Sequence, residues 1–379
     1  MRKLLKNNAV QSLLASLICI LLGLLIGYIV LLFINPAGAS KAILSVIKNF
    51  FNYSSSRMQL KHLGTTLVKT APLLMCALSV LFAYKVGLFN IGAAGQYVAG
   101  ACACIYAALA WGWSWLPCML FATLAGAVFG GIVGLLKSYC NVNEVISGIM
   151  LNWIGLYTTN MILSTVQETG GNHTRDMNSA GPAAILPTLG LDKLFNNKFV
   201  TIAVPLAIII AILVWVLLEK TRLGYELKAT GFNRNAAKYA GMAEHRNIIL
   251  TLVLAGALAG LGGSLFYQTG HEQWTCTASS VPGMGFNGIA ATFLGGLNPI
   301  GTIFSSFFIQ HITEGGAHLD LKLYSPQISS LISSIIIYLC GFVLFMKYAM
   351  TNSINKREEK ERRAKLKAEE VKTEKGGEA

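Results

Sequence analysis

The residue types that perform catalysis or hold metals are present in this chain but wrongly spaced for either. His62, His173, His245, His271, His311 and His318 form no H-E-x-x-H pattern or other ligand spacing, and His271-Glu272 stands as an isolated pair. The eight cysteines lie mostly inside apolar runs. Cys102 and Cys104, one residue apart, match neither a zinc ligand pair nor a C-x-x-C redox pair, so all eight read as small packing residues. The stretch from Gly130 to Ser138 glances at a phosphate-binding loop, but Leu136 occupies the position where a glycine must precede the lysine. No catalytic residue, metal ligand or cofactor-binding residue is expected, and no nucleotide-binding domain.

The informative side chains are amides that interrupt apolar sequence, where an unpaired polar group is expensive. Asn90 and Gln96 fall in a connection so short that they must sit at or inside the apolar layer. Phe286 and Asn287 begin a second glycine-rich cluster, PGMGFNGIAATFLGG (282–296), and Asn152 belongs to a third, NEVISGIMLNW (143–153). Glu144, Ser147 or Gly148, and Asn152 share one face at helical spacing. Glu144 reads as a favourable charge at a helix N-terminus, and Lys69 and Glu314 as span-end residues that snorkel. With no ionisable group central in the layer, an ion-coupled carrier or a channel is the weaker alternative. Asn90, Gln96, Asn152, Phe286 and Asn287 are the candidate lining of a translocation path for a neutral polar ligand, offering amide donors and acceptors with an aromatic face.

Elements of one kind must position these residues. Hydrophobic residues make up 54 % of 379 positions and charged ones 12 %, about half the charged share of a soluble protein, which defines an all-α polytopic membrane protein. The net charge of +13 reflects the basic bias of cytoplasmic segments and not nucleic-acid binding. Apolar runs place spans at roughly 13–34, 65–84, 93–111, 116–136, 144–164, 199–218, 248–268, 283–297, 299–312 and 327–347. The 283–297 stretch is short for a helix and is expected to be a broken or re-entrant element. Counting it as a crossing makes about ten spans and puts both termini, and most of the 30 lysines and arginines, on the cytoplasmic side. The clusters at Phe89-Asn90 and Phe286-Asn287 follow the second and seventh spans and face opposite ways, as inverted repeats of spans 2–5 and 7–10 would arrange them. Residues 1–350 form the membrane domain. Within it, 1–60 supply the first span and an external amphipathic connection, while 351–379 form a charged tail that is either a solvated helix or disordered.

The 219–246 loop is basic: Lys220, Arg222, Lys228, Arg234, Lys238 and Arg246 face Glu219, Glu226 and Glu244. Its spacing predicts a short helix capped by Asn233, favoured by Ala236, Ala237 and Ala240, and ended by Gly241.

Four motifs, VGLFNIGAAGQ (86–96), NEVISGIMLNW (143–153), TRLGYELKATGFNRNAAKYAGM (221–242) and GFNGIAATFLGGLNPIG (285–301), together resemble the permease subunits of bacterial ABC importers for ribose-type sugars, branched-chain amino acids and nucleosides. The chain looks closest to the nucleoside group, whose extracellular receptor is a basic-membrane-type lipoprotein. The resemblance runs from about residue 60 to 347. Ala94 departs from it, glutamate being common there, and the tail is longer and more charged than the family requires. The resemblance implies that Gly231, Phe232, Asn233, Arg234, Ala236, Ala237, Lys238, Ala240 and Gly241 form the coupling helix that docks into a separate cytosolic ATPase, which binds ATP and Mg. It also implies a second permease chain, a copy or a paralogue, in a bacterial cytoplasmic membrane. The expected cargo is a nucleoside, with a simple sugar as the runner-up.

Overall fold

The computed structural model describes residues 8–316, 319, 323–324, 326–343 and 345–353, with isolated positions 356, 359–360 and 363. The chain runs through α1 (Asn8–Ile34), α2 (Ala39–Lys48), α3 (Ser56–Lys85), α4 (Ala93–Ala110), α5 (Trp115–Cys140), α6 (Glu144–Leu163), α7 (Ala203–Lys220), α8 (Arg222–Phe232), α9 (Arg234–Tyr239), α10 (Glu244–Tyr267), α11 (Met284–Leu294), α12 (Pro299–Gly315) and α13 (Pro326–Cys340). Every apolar run expected to cross the membrane is a helix. Six of them (α1, α3, α4, α5, α7 and α10) are individually long and apolar enough to do so. The exception that matters is α11, whose 11 residues reach about 16 Å, roughly half of a ~30 Å hydrocarbon layer. Nearly all of the charged tail lies outside the described residues.

Burial sorts the helices into an inner and an outer set. α3 and α4 are enclosed over most of their length, while α1, α5 and α7 leave apolar faces exposed. Such an uncovered apolar face suits a helix in contact with lipid. α3 is the hub and packs on α7, α10, α11 and α12. The short α2 turns Ala39, Ala42 and Val46 inward and leaves Leu44 and Ile47 exposed, as its amphipathic sequence leads one to expect. Cys19, Cys76, Cys102, Cys104, Cys118 and Cys276 are buried as packing residues, but Cys140 at the end of α5 is exposed.

The most extensive helix contact joins α5 to α10. Gly126 and Gly130 of α5 face Leu252, Gly256 and Gly260 of α10 so closely that a methyl group on Gly126 or Gly256 would run into the other residue's carbonyl oxygen. In a bilayer, where apolar surface gains nothing by leaving lipid, close backbone approach supplies the van der Waals contact that holds helices together.

The ends of the helices sort consistently. At one end lie the α3–α4 connection, the Lys137–Glu144 ion pair (2.7 Å), the Ser138–His245 hydrogen bond (2.7 Å), α8 and α9. Ser16 donates to the Leu294 carbonyl, and Thr351 to Gln11, nearby in the fold. At the opposite end Arg57 meets Asn196, Arg175 meets the Leu109 carbonyl, and Tyr324 meets the Asn35 carbonyl. The 283–297 stretch therefore reaches the α8–α9 end as a broken span: residues 268–283 enter without helix from the opposite end, and α11 completes the passage.

Replacing Gly256 by Leu should lower the stability of the purified chain by about 3 kcal/mol. Val128→Leu on the exposed face of α5 should change it by less than about 0.5 kcal/mol. Thermal unfolding in detergent measures both, and equal effects would contradict the glycine seam.

Candidate functional site

Past Lys85 the chain doubles back. Val86, Gly87 and Leu88 donate to carbonyls of Ala83 and Tyr84, and Gly87, at φ +75°, makes the reversal. Residues 88–92 then climb beside α3 without helical hydrogen bonds, so that α4 begins at Ala93 packed against Val80. Helix-free backbone at this depth has to find partners within the protein, and the amides supply them. Asn90 donates to Ser79 Oγ (2.9 Å) and to Gln96 Oε1 (2.8 Å), while Gln96 donates back to Asn90 Oδ1 (3.1 Å). Asn152 of α6 accepts from the Gly95 N–H (2.7 Å) and donates to the Ile91 carbonyl (3.1 Å). All three side chains are buried.

The face of α6 that packs on this joint carries Ser147, Gly148, Asn152 and Gly155, as helical spacing leads one to expect. Glu144 is the first residue of α6, at the helix N-terminus as read, but it is not the cap. Asn143 caps α6, accepting from the Val145 N–H (2.8 Å), and Glu144 pairs with Lys137 of α5. Lys69 and Glu314 likewise do not snorkel separately. Lys69 Nζ lies 3.0 Å from Glu314 and 3.6 Å from Glu272, tying α3, α12 and the 268–283 connection together. His271-Glu272 is thus no isolated pair. Burial, reinforced by the Lys69 ammonium, holds the His271 imidazole below its ordinary pKa.

α11 starts where α4 starts. Gly285 sits against the Ala94 backbone, Gly288 against Cys76 and Ala77, and Thr292 donates to the Ala77 carbonyl (2.7 Å). The first turns of α4 and α11, reached from opposite ends, meet in the interior. The five candidate path residues fall into two groups here. Asn90, Gln96 and Asn152 are enclosed in the joint with their hydrogen bonds made, while Phe286, 41 % exposed, and Asn287 lie on the uncovered face of α11. The structure does not gather all five around one cavity.

The basic loop folds as predicted and adds a second helix. Thr221 caps α8, accepting from the Gly224 N–H (3.1 Å), and Asn233 caps α9, accepting from the Ala236 N–H (3.0 Å). Gly241, at φ +78°, follows α9. Arg234 (2.8 Å) and Lys238 (3.9 Å) converge on Glu244 at the start of α10. Ala236 and Ala240 face outward, but Ala237 is only 4 % exposed and packs inward, contrary to a contact role for all three alanines. The outward surface is dominated by Phe232 (96 % exposed) and Tyr239 (93 % exposed). Tyr239 went unnoticed in the sequence, although an aromatic in a short polar loop was the available signal.

α8 also touches the joint. Gly231 presses on the Val86 carbonyl and leaves no room for a side chain, while a Cβ on Gly87 would lie 2.7 Å from the Gly231 carbonyl oxygen. Asn247 of α10 donates to Thr230 Oγ1 (2.8 Å), fastening the same turn of α8 to the long helix behind it.

The fold is thus a many-helix membrane domain with a short helix meeting helix-free backbone inside it and capped short helices at one end. The chain belongs to the family described as the permease component of branched-chain amino acid transport systems, whose model matches residues 63–341. It is therefore the transport subunit of an ABC transporter. It is 34 % identical over 344 residues to the nucleoside ABC transporter permease NupB of Lactococcus lactis subsp. cremoris, covering 88 % of this chain and 91 % of that one. It is 29 % identical over 345 residues to the guanosine ABC transporter permease NupP of Bacillus subtilis (90 % and 96 % covered). It is also 29 % identical over 308 residues to the glucose ABC transporter permease TsgB13 of Haloferax volcanii (78 % and 80 % covered). No solved structure matches the chain.

Asn90→Leu and Gln96→Leu should each cost about 1–3 kcal/mol, because each strands the other amide. The double substitution should cost less than the sum of the two. Unfolding measurements that returned strictly additive losses would contradict the reciprocal pair.

Proposed function

We propose that this chain is the permease of an ATP-driven importer of nucleosides. The observation that carries the reading is its similarity, over nearly its whole length, to permeases named for nucleoside and guanosine transport. The α8–α9 end faces the cytosol, with both termini, and the opposite end faces an extracellular substrate-binding lipoprotein. A cytosolic ATPase, binding ATP and Mg, receives α9. A second permease completes the pore; Bacillus subtilis has two guanosine permeases, NupP and NupQ, both similar to this chain, which favours a paralogue.

The contacts suggest how force would travel. Phe232 and Tyr239 are the apolar anchors for a groove in the ATPase, because isolated large aromatics on a charged loop gain most by burial. Arg234 and Lys238, already held by Glu244, stiffen the helix they anchor. Displacement of α8 passes through the Gly231–Val86 contact into the joint. The Asn90–Gln96 bonds and those of Asn152 to the backbone then make the joint move as a unit with the first turn of α4, and α11 shifts against that unit at the Ala94–Gly285 contact. Phe286 and Asn287, on the open side of α11, meet the cargo with an aromatic face and an amide. Asn90, Gln96 and Asn152 serve the path by positioning and not by touching the cargo. The resemblance to a glucose permease keeps a sugar as the competing cargo.

Vesicles holding the assembled transporter and its receptor should take up labelled guanosine in an ATP-dependent way. Unlabelled nucleosides should compete and glucose or ribose should not; competition by the sugars alone would transfer the assignment to them. Phe232→Ala combined with Tyr239→Ala should remove the ATPase from the purified complex, each aromatic contributing about 2 kcal/mol. Gly231→Ala should retain the ATPase but lower uptake at least about tenfold, equivalent to about 1.4 kcal/mol. Normal uptake by Gly231→Ala would exclude the relay.

A further inference from the structure

One large cavity plays no part in this account. It measures about 870 Å³ and lies between α1, α7, the α11–α12 turn and the residue that follows α13 by a few turns, Lys347. α1 makes its extensive contacts with α13 and α2 and stands off from α12, which leaves the slot between them uncovered. The walls are apolar: Leu17 and Ile20 on one side, Ile300, Phe304 and Phe308 on the other. A second hollow of about 310 Å³ shares Phe308 and continues along the same two helices past Leu24 to Phe307 and His311. From Asn298 to His311 the groove follows 13 residues of α12, about 20 Å. Together the two hollows make a groove about two thirds as deep as a ~30 Å hydrocarbon layer, along a lipid-facing flank.

The groove is charged at one mouth only. Lys347 lines it there, and Trp215 of α7 forms the adjoining wall with the Lys220 ammonium 5.6 Å from its ring centre. Among the described residues neither lysine has a carboxylate within 4 Å, the nearby Glu219 being taken by Lys228 at 3.0 Å. Lys347 in the lining at one mouth, Lys220 against the wall residue Trp215, neither with a carboxylate partner among the described residues, and a long apolar slot have the complementary form of one ligand class.

We propose that this groove is a binding site for an anionic phospholipid, its phosphate at Lys347 and Lys220 and an acyl chain laid between α1 and α12. The inner wall of the slot is the turn 295–298, which ends the half-helix α11 and starts α12. Bound lipid would therefore brace the base of the helix that carries Phe286 and Asn287, and the identity of the lipid would set how freely that helix moves. The site rests on the chain's membrane-spanning fold and not on the identity of its cargo.

The test uses Trp215 as the reporter. The purified full-length chain, and its Trp215→Phe variant, are reconstituted in phosphatidylcholine containing increasing brominated phosphatidylglycerol or, separately, brominated phosphatidylcholine. The quenching lost in the variant is the signal of the groove. Phosphatidylglycerol should quench that component at a concentration at least about fivefold lower than phosphatidylcholine, one lysine near a membrane being worth about that factor. Lys347→Glu combined with Lys220→Glu should remove the preference while leaving quenching by phosphatidylcholine intact. Equal quenching by the two lipids in the parent chain would overturn the site, as would a preference that survives charge reversal. Quenching by neither would show the groove closed or filled by protein, and also overturns it. Because this readout requires neither ATP nor cargo, it fails independently of the import reading.

Discussion

Everything in this fold answers to one constraint: polar backbone that leaves a helix inside an apolar layer must be satisfied by the protein itself. Residues 86–92 are such a segment. They can exist at that depth because Asn90, Gln96 and Asn152 bring amide groups to the backbone and to one another. The joint is consequently stiff. Its side-chain amides are buried, which strengthens their hydrogen bonds and favours passing a displacement at Gly87 on to Ala93 and α4. The same requirement explains why α6 presents a row of small residues with one asparagine among them: only a close approach lets Asn152 reach Gly95 and Ile91.

Around this joint the helices divide the labour. The α5–α10 glycine seam makes a rigid backing, and α10 carries Asn247, which grips α8 through Thr230. α8 thus lies between a fixed support and the joint, with Gly231 as the point of contact. At the opposite end Lys69 binds Glu314 and Glu272, anchoring the strand-like entry to α11. α4 and the short α11 are each held where their chain enters and meet at Ala94 and Gly285. A helix-free segment and a short helix thus converge in the interior, as discontinuous membrane segments do.

Much of this could be read from sequence because membrane helices announce themselves by run length and caps by local chemistry. The helices, the Asn233 cap and the Gly241 terminus needed only neighbouring residues. The shortness of α11 was visible in its glycines and in Asn298-Pro299, which caps the following helix. Long-range pairings were not visible. Nothing near Asn90 in sequence states that its amide is consumed by Gln96 and Ser79, so it looked like the exposed Phe286 and the half-buried Asn287. The inward turn of Ala237, the Lys69–Glu314 ion pair and the spacing of Gly126 and Gly130 against Gly256 and Gly260 all depend on a partner helix far along the chain. Gly130 drew notice only as part of a failed phosphate-loop pattern, when its physical role is contact with Leu252 and Gly256.

In the proposed relay α9, α8 and the interior joint move as one body when the transporter works. Spin labels at Ala236 and Phe89, with a second pair at Ala236 and Phe286, would report it by pulsed electron spin resonance in the assembled transporter with and without ATP. The 236–89 distance should stay constant to within about an ångström while the 236–286 distance shifts or broadens, since Phe286 lies beyond the Ala94–Gly285 contact. A 236–89 distance that changes by several ångströms on ATP binding would mean that α8 slides over the joint, and the mechanism drawn from Gly231 would be wrong.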